Sequence, residues 1–300
     1  MDKNVELGIA LSGGGLQGFS HIGALRALEE LGGEIGYISG TSTGSIIASF
    51  YAMGLDTYEM EEICRLKYKD IIKIKKKVIL KAIMNYLIMK ETRTGGLIDG
   101  RIIEKFINDE AVKKNINSIS DVSERKLAIA TVDTKSIKEC IFTSDEVEWK
   151  SENIDYIRNI NIGKAVRASM AFPGIFDTVN FEKYNFIDGG TVDNLPTKVL
   201  RDMGADKIIS VGLDTSHYKV TSNLENVILR ALDVYSYSDV KDAEKIADIA
   251  VEIYNSDTGL LEMKEMQKTV ENGYNAIMNK KEEILDLLEM DMSENLIKIG

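Results

Sequence analysis

Within its first 54 residues the chain twice runs a short apolar segment into glycines and then into a stretch with helical spacing. "VELGIALSGGG" reads as a strand ending in glycines. "GFSHIGALRALEELGG" reads as a helix with Ile22, Leu25, Leu28 and Leu31 on one side, stopped at Gly32-Gly33. "EIGYIS" is a second short strand, "GTSTG" (Gly40 to Gly44) follows at once, and "SIIASFYAMG" is a helix ending at Gly54. This order predicts a parallel sheet covered by helices, because parallel neighbours need a crossover between them.

Further along, residues from about 58 to 89 look helical and "GGLIDGRIIEKFIND" starts another helix. "KLAIATVDTK" and "KECIFTS" form a strand pair joined near Ser136. "GKAVRASMAFPGIF" is a helix ended by a turn at Pro173-Gly174. The strand "YNFID", the glycines Gly189-Gly190 and the strand "DKIISVGLD" come next. The part from about 225 to 300 reads as largely helical. No repeat or linker interrupts the pattern, so the expectation is one α/β domain over 1–300 with a helical insertion at about 56–97.

A chain of 300 residues, 44% of them hydrophobic, can bury a core. Its net charge of −11 argues against a general nucleic-acid binder, which is usually basic over the binding surface. Two cysteines, Cys64 and Cys140, and a start without a basic, then apolar, leader point to a cytoplasmic location. The longest apolar stretch, Val78 to Met89, is broken by Lys81 and Asn85 and falls short of the roughly 20 residues a membrane span needs.

A serine hydroxyl attacks a carbonyl only when something exposes it, removes its proton and stabilises the resulting oxyanion. Gly40-Thr41-Ser42-Thr43-Gly44, placed between a strand and a helix, matches a nucleophile elbow with Ser42 at its tip. The Thr43 N–H, at the helix N-terminus, is a candidate oxyanion donor. Alone the pattern is weak, and its position between strand and helix strengthens it. "SGGGLQG", Ser12 to Gly18, leaves bare backbone amides at the first strand-to-helix turn, which suits an anion or an oxyanion. The same letters, Gly13-x-Gly15-x-x-Gly18, also match a dinucleotide fingerprint. That reading requires an acid at the end of the second strand, where Ser39-Gly40 stand instead.

"DGG", Asp188 to Gly190, puts an acid at a strand end, where burial would raise its pKa toward that of a useful base. The plainer reading is an Asp-Gly turn. Ser42, Asp188 and His217 could be written as a triad in α/β-hydrolase order, but the nucleophile comes too early in the strand order for that fold. His21 lies in the first helix, where packing is the commoner role. A Ser42–Asp188 dyad is the better reading of the residues.

Four segments in this order, "GGGLQG" with "HIGALRALEE", "ISGTSTGSI", "ASMAFPGIF" and "DGGTVDNLP", resemble the patatin-like phospholipases, with weaker likeness around "GLIDG" and "GADKIISVGL". The resemblance spans about Leu7 to Leu213. It implies a three-layer α/β/α sandwich with a mostly parallel central sheet, an acyl hydrolase, and a dyad mapping onto Ser42 and Asp188. Backbone of Gly13, Gly14 and Gly15 would supply the oxyanion hole, and no metal or organic cofactor is implied. This chain departs from the family at Gln17, where the glycine loop usually carries arginine or lysine, so a full positive charge is missing near the oxyanion site. Alternatives with the same residues are acyl transfer to an alcohol and a non-catalytic module whose glycine loop holds an anion.

From Arg65 to Lys90 nine basic residues, Lys73, Lys75, Lys76 and Lys77 among them, face one acid, Asp70, with Ile71, Ile74, Val78, Ile83 and Leu87 interleaved. Two readings stand: a solvated helical cap closing over the sheet, and a peripheral contact with an anionic lipid surface. Met170, Phe172 and Phe176 are candidates to line an acyl channel, though such residues more often belong to a core.

Overall fold

The computed structural model describes residues 6–67, 96–214, 224–255 and 263–288. β1 (Leu7–Leu11) leads through the glycines and a 3-10 turn (Gly15–Phe19) into α1 (Ser20–Glu30), and β2 (Ile35–Thr41) leads into α2 (Thr43–Ala52). A helix, α3, occupies residues 57–67. Next come β3 (Gly96–Ile98), α4 (Arg101–Lys113), the hairpin of β4 (Lys126–Asp133) and β5 (Lys138–Thr143), and β6 (Ile154–Ile157). They are followed by α5 (Ile162–Ser169), β7 (Gly174–Phe176), β8 (Val179–Phe181) and β9 (Tyr184–Asp188). The remaining elements are α6 (Lys198–Asp202), β10 (Lys207–Asp214), α7 (Leu224–Ile246), β11 (Ile249–Tyr254) and α8 (Met263–Met278).

The main sheet has the order β11-β10-β1-β2-β4-β5-β6, and every pair from β11 to β4 is parallel. All five residues of β1 are buried, and their alternation divides them between two cores. Ile9 and Leu11 join Ile38, Leu127, Ile129, Ile209 and Val211 in the larger core, with Ile22 and Leu25 of α1, Phe50 of α2 and Val270 of α8. Ala10 joins Ala128, Ala130 and Ile208 in the smaller one, with Val199 and Leu200 of α6. Helices therefore cover both faces, as an α/β/α sandwich requires.

One edge of β4 carries two partners in succession. Lys126 to Ala130 pair with β2, in parallel, and Thr131 to Asp133 pair with β9, antiparallel. Thr41 is opposite Ala130, and Asp188 is opposite Thr131. β9 thus takes up the edge of β4 where β2 leaves it, and the two strands meet end to end.

Two sequence expectations change, and the largely helical C-terminal part gains a strand. Gly96–Ile98, at the end of the stretch read as a helical insertion, is a strand paired with β7. α5 ends at Ser169, four residues ahead of Pro173, with Met170 at its C-cap, and residues 174–176 form the short strand β7. The C-terminal part includes β11, parallel to β10, whose Ile249, Val251 and Ile253 are buried while Glu252 and Tyr254 are exposed. That alternation of six residues sits between two long helices and is easily lost among them. Lys73, Lys75, Lys76 and Lys77, the apolar residues interleaved with them, and His217 lie outside the described residues. Among the described residues no helix is long and apolar enough to cross a membrane, and no group of three or more His, Cys, Asp or Glu could hold a metal ion.

Candidate active site

Ser42 stands between the end of β2 and the first turn of α2 with φ 51° and ψ −122°, a left-handed backbone that a residue with a Cβ adopts only under constraint. The glycines on either side explain how the turn is made. A Cβ on Gly40 would lie 2.5 Å from the backbone of Gly44, and one on Gly44 would lie 2.5 Å from the Leu11 carbonyl oxygen. The elbow is packed backbone against backbone, which leaves the serine at its tip half-buried. The Ser42 carbonyl accepts from Ser45 N–H at 2.9 Å and from Ser45 Oγ at 2.6 Å, so the turn runs directly into helix.

Asp188, the last residue of β9, is brought to the elbow by the shared edge of β4. Its Oδ2 accepts from Ser42 Oγ at 2.9 Å, and its Oδ1 accepts from Gly190 N–H at 2.8 Å. Only 3% of the residue is exposed, so nearly all of its hydration is lost on folding. Burial pushes the Asp188 carboxyl up to about 6, against the smaller lowering effect of the hydrogen bonds from Gly190 and Ser42. A carboxylate in that range is ionised at neutral pH yet basic enough to accept a proton. Gly189 lets the chain turn against β4, since a Cβ there would lie 2.4 Å from the Ala130 carbonyl oxygen.

The glycine loop lies beside the elbow because β1 and β2 are parallel neighbours. A Cβ on Gly13 would stand 3.1 Å from the Ser42 Cβ, and Gly18 packs against the Thr43 side chain. The three glycines are not equivalent, contrary to the sequence expectation. The Gly13 N–H donates to the Asn194 carbonyl at 3.1 Å and is committed there. The amides of Gly14 and Gly15, at the start of the 3-10 turn, and of Thr43, at the start of α2, are the ones whose positions leave them without an intrahelical acceptor. Gln17 is buried and its carbonyl accepts from Ser20 Oγ at 2.8 Å. His21 does not reach the Ser42–Asp188 pair. It is fully buried, its Nε2 hydrogen-bonds the Ser12 carbonyl at 2.9 Å, and burial pushes its pKa down to about 4.

The match to known proteins coincides with these elements. The family model described as patatin-like phospholipase matches residues 9–201, from β1 through the elbow and Asp188 to α6. The chain belongs to the patatin-like phospholipase family. It is 28% identical over 207 residues to the lysophospholipase NTE1 of Candida glabrata, covering 68% of this chain and 10% of that protein. To the human patatin-like phospholipase domain-containing protein 6 it is 25% identical over 211 residues, covering 68% of this chain and 13% of that protein. The chain thus spans a small fraction of the length of these relatives. The crystal structure of VipD from Legionella pneumophila overlays 94% of this chain and 67% of its own, with a TM-score of 0.49 and 16% identity.

In this patatin-like chain several site residues are not singled out by sequence patterns. Ser169, fully buried at the end of α5, accepts the Ser42 N–H on its Oγ at 2.9 Å. Ser39 Oγ donates to the Pro196 carbonyl at 2.6 Å and Thr41 Oγ1 to the Asp193 carbonyl at 2.8 Å, which lash the segment after Asp188 to β2. All three are small hydroxyl residues in apolar surroundings, and for Ser39 and Thr41 the period-2 spacing on a strand is a usable signal. Met170 and Phe176 pack against the larger core. An open cleft of about 720 Å³, lined by Glu6, Glu29, Glu34, Tyr51, Glu124 and Arg125, lies where β1 and β2 begin, at the far ends of those strands from Ser42. It includes neither Ser42 nor Asp188.

Proposed function

We propose that this chain hydrolyses carboxylic ester bonds of lipids through a Ser42–Asp188 dyad and an acyl-enzyme. The observation that carries the reading is the 2.9 Å hydrogen bond from Ser42 Oγ to a buried carboxylate of raised basicity. Asp188 takes the Ser42 proton as Oγ bonds to the acyl carbon. The oxyanion is held by the amides of Gly14, Gly15 and Thr43. Collapse of the tetrahedral adduct breaks the ester bond, and the departing alkoxide takes the proton from Asp188. Water then attacks the acyl-enzyme, gives a proton to Asp188, and the fatty acid leaves as Ser42 recovers its hydrogen. The names of the relatives, lysophospholipase and phospholipase, support a lipid ester as substrate.

Purified protein is assayed on short-chain chromogenic esters and on lysophospholipid, beside Ser42→Ala and Asp188→Asn. Turnover by the wild type and its loss in both variants is the expected result. Equal turnover by the wild type and Ser42→Ala would sink the proposal. Contact with an anionic membrane through Lys73, Lys75, Lys76 and Lys77 belongs to the same reading and rests on sequence. Co-sedimentation with vesicles containing anionic lipid should weaken when the four are replaced by glutamine, and unchanged binding would refute it.

A further inference from the structure

We infer that Ser169 is a positioning residue for the dyad: its buried hydroxyl, with the Ala171 carbonyl two residues on, holds the backbones of both reacting residues in register. This rests on the dyad proposed above. Ser169 Oγ accepts the Ser42 N–H at 2.9 Å, and Ala171 O accepts the Asp188 N–H at 3.1 Å. Ser42 comes from β2 and Asp188 from β9, so the end of α5 bridges two elements that do not pair with each other.

Two features make this a constraint on geometry. Ser42 is in a left-handed conformation, and in that state its N–H has turned out of the strand ladder and needs an acceptor elsewhere. Ser169 is fully buried, so water is not at hand to replace its oxygen. The element that carries it is itself anchored. Asn161 caps α5 by accepting from Lys164 N–H at 3.0 Å, Asn108 Oδ1 on α4 accepts from Gly163 N–H at 3.2 Å, and Arg167 is paired with Glu104 of α4 at 2.9 Å. A grip of this kind is effective only if its base does not move.

The consequence is measurable at Asp188 itself. The influences on that carboxyl are burial and the hydrogen bonds from Gly190 N–H and Ser42 Oγ, with no charged side chain among them. If Ser169 keeps Ser42 in place, removing its oxygen lets Ser42 Oγ drift from Oδ2. The carboxyl then loses one of the two bonds that hold its pKa down, and its titration midpoint rises.

The test uses the full chain with ¹³C-labelled aspartate, Asp188→Asn assigning the resonance. Ser169→Ala should raise the Asp188 midpoint above that of the wild type and lower kcat by on the order of 10- to 100-fold, with KM little changed. Ser169→Thr, which keeps the oxygen on the same Cβ, should restore both, and Ser169→Cys, a weaker acceptor of nearly the same volume, should fall between. A midpoint unchanged in Ser169→Ala, whether kcat falls or not, would overturn the inference and leave Ser169 a packing residue. The titration reads this even in a chain that cleaves no ester, so failure of the functional proposal and failure of the positioning role are separable.

Discussion

The Nε2 of His21 lies 2.9 Å from the carbonyl oxygen of Ser12, the residue at which β1 gives way to the glycine loop. The same oxygen is 2.6 Å from where a Cβ on Gly44 would stand, so one carbonyl joins the glycine loop to the elbow helix. Among the described residues the buried His21 Nδ1 has no hydrogen-bond partner, and a charged ring would carry a second N–H with none of them to donate to. The ring is therefore neutral, with the proton on Nε2. His21→Gln, which can place a donor near Nε2, should keep most of kcat, and His21→Leu should lose about tenfold or more. The pH dependence has a sign. The His21 pKa falls from 6.5 in the unfolded chain to about 4 in the fold, so the unfolded chain binds the extra proton between those values. The stability this residue confers is present above pH 6.5 and is lost as pH falls toward 4, and thermal melts of His21→Gln should show a flatter decline there than the wild type.

Asp188 has the opposite linkage. Its folded pKa is raised from 3.8 to about 6, so its favourable contribution is complete below the unfolded value and is lost as pH rises through 6. At neutral pH the ionised, buried carboxylate costs the fold about 3 kcal/mol. Asp188→Asn should therefore melt several degrees higher than the wild type at about pH 7.5 and at nearly the same temperature at about pH 4. Its turnover should fall by on the order of 10² to 10⁴-fold, the usual worth of a general base. A variant that is inactive and also less stable near pH 7.5 would contradict these roles for Asp188.

Glu139 on β5 and Asp193, in the segment after the Gly189 turn, carry neighbouring carboxyls whose negative charges act on each other. Burial raises both pKa values, and the charge of Asp193 adds to the rise at Glu139, which is pushed up to about 8. Asp193 also bonds the elbow side of the sheet, its carbonyl accepting from Thr41 Oγ1 at 2.8 Å and its N–H donating to the Gly189 carbonyl at 2.9 Å. Because the folded pKa of Glu139 is raised from 4.5 to about 8, its favourable contribution is complete below pH 4.5 and is lost as pH rises from there through 8. Glu139→Gln should flatten the fall in melting temperature between about pH 5 and 8, and an unchanged slope would remove Glu139 as its cause.

Part of this arrangement is visible in the sequence, and the rest is hidden for physical reasons. β1, β2 and the elbow are legible because their signals are local: apolar runs of strand length, glycines at fixed offsets and helical spacing afterwards. Asp188 is legible as a strand-end acid before two glycines. What brings it to Ser42 is not, because that depends on β9 joining β4 where β2 stops, a pairing of residues more than 50 apart in sequence. Ser169 stands within "ASMAFPGIF", yet a serine at a helix end carries no local mark of the amide it will accept. Gly13 reads like Gly14 and Gly15 because the letters are alike, and only the Asn194 carbonyl distinguishes it. β11 is obscured because its six alternating residues follow a helix of 23.

Glycines of the same site should respond differently to alanine, and the difference tests whether close packing or backbone freedom is what each supplies. At Gly44 the new Cβ would stand 2.5 Å from the Leu11 oxygen and 2.6 Å from the Ser12 oxygen, both backbone atoms that no side-chain rotation can move. α2 must shift, and with it the Thr43 amide and Ser42. Gly44→Ala should lose about 2–3 kcal/mol of stability, the usual cost of forced overpacking, and nearly all turnover. At Gly15 nothing among the described residues lies within 4 Å of the added methyl, and the cost is that of holding alanine at φ +59°. That is about 1 kcal/mol, so Gly15→Ala should melt a few degrees lower and keep kcat within about tenfold of the wild type. Thermal melts and ester turnover on the two variants decide the matter. If Gly15→Ala proved the more damaging, the close approach of β1 to α2 would not be what defines the elbow.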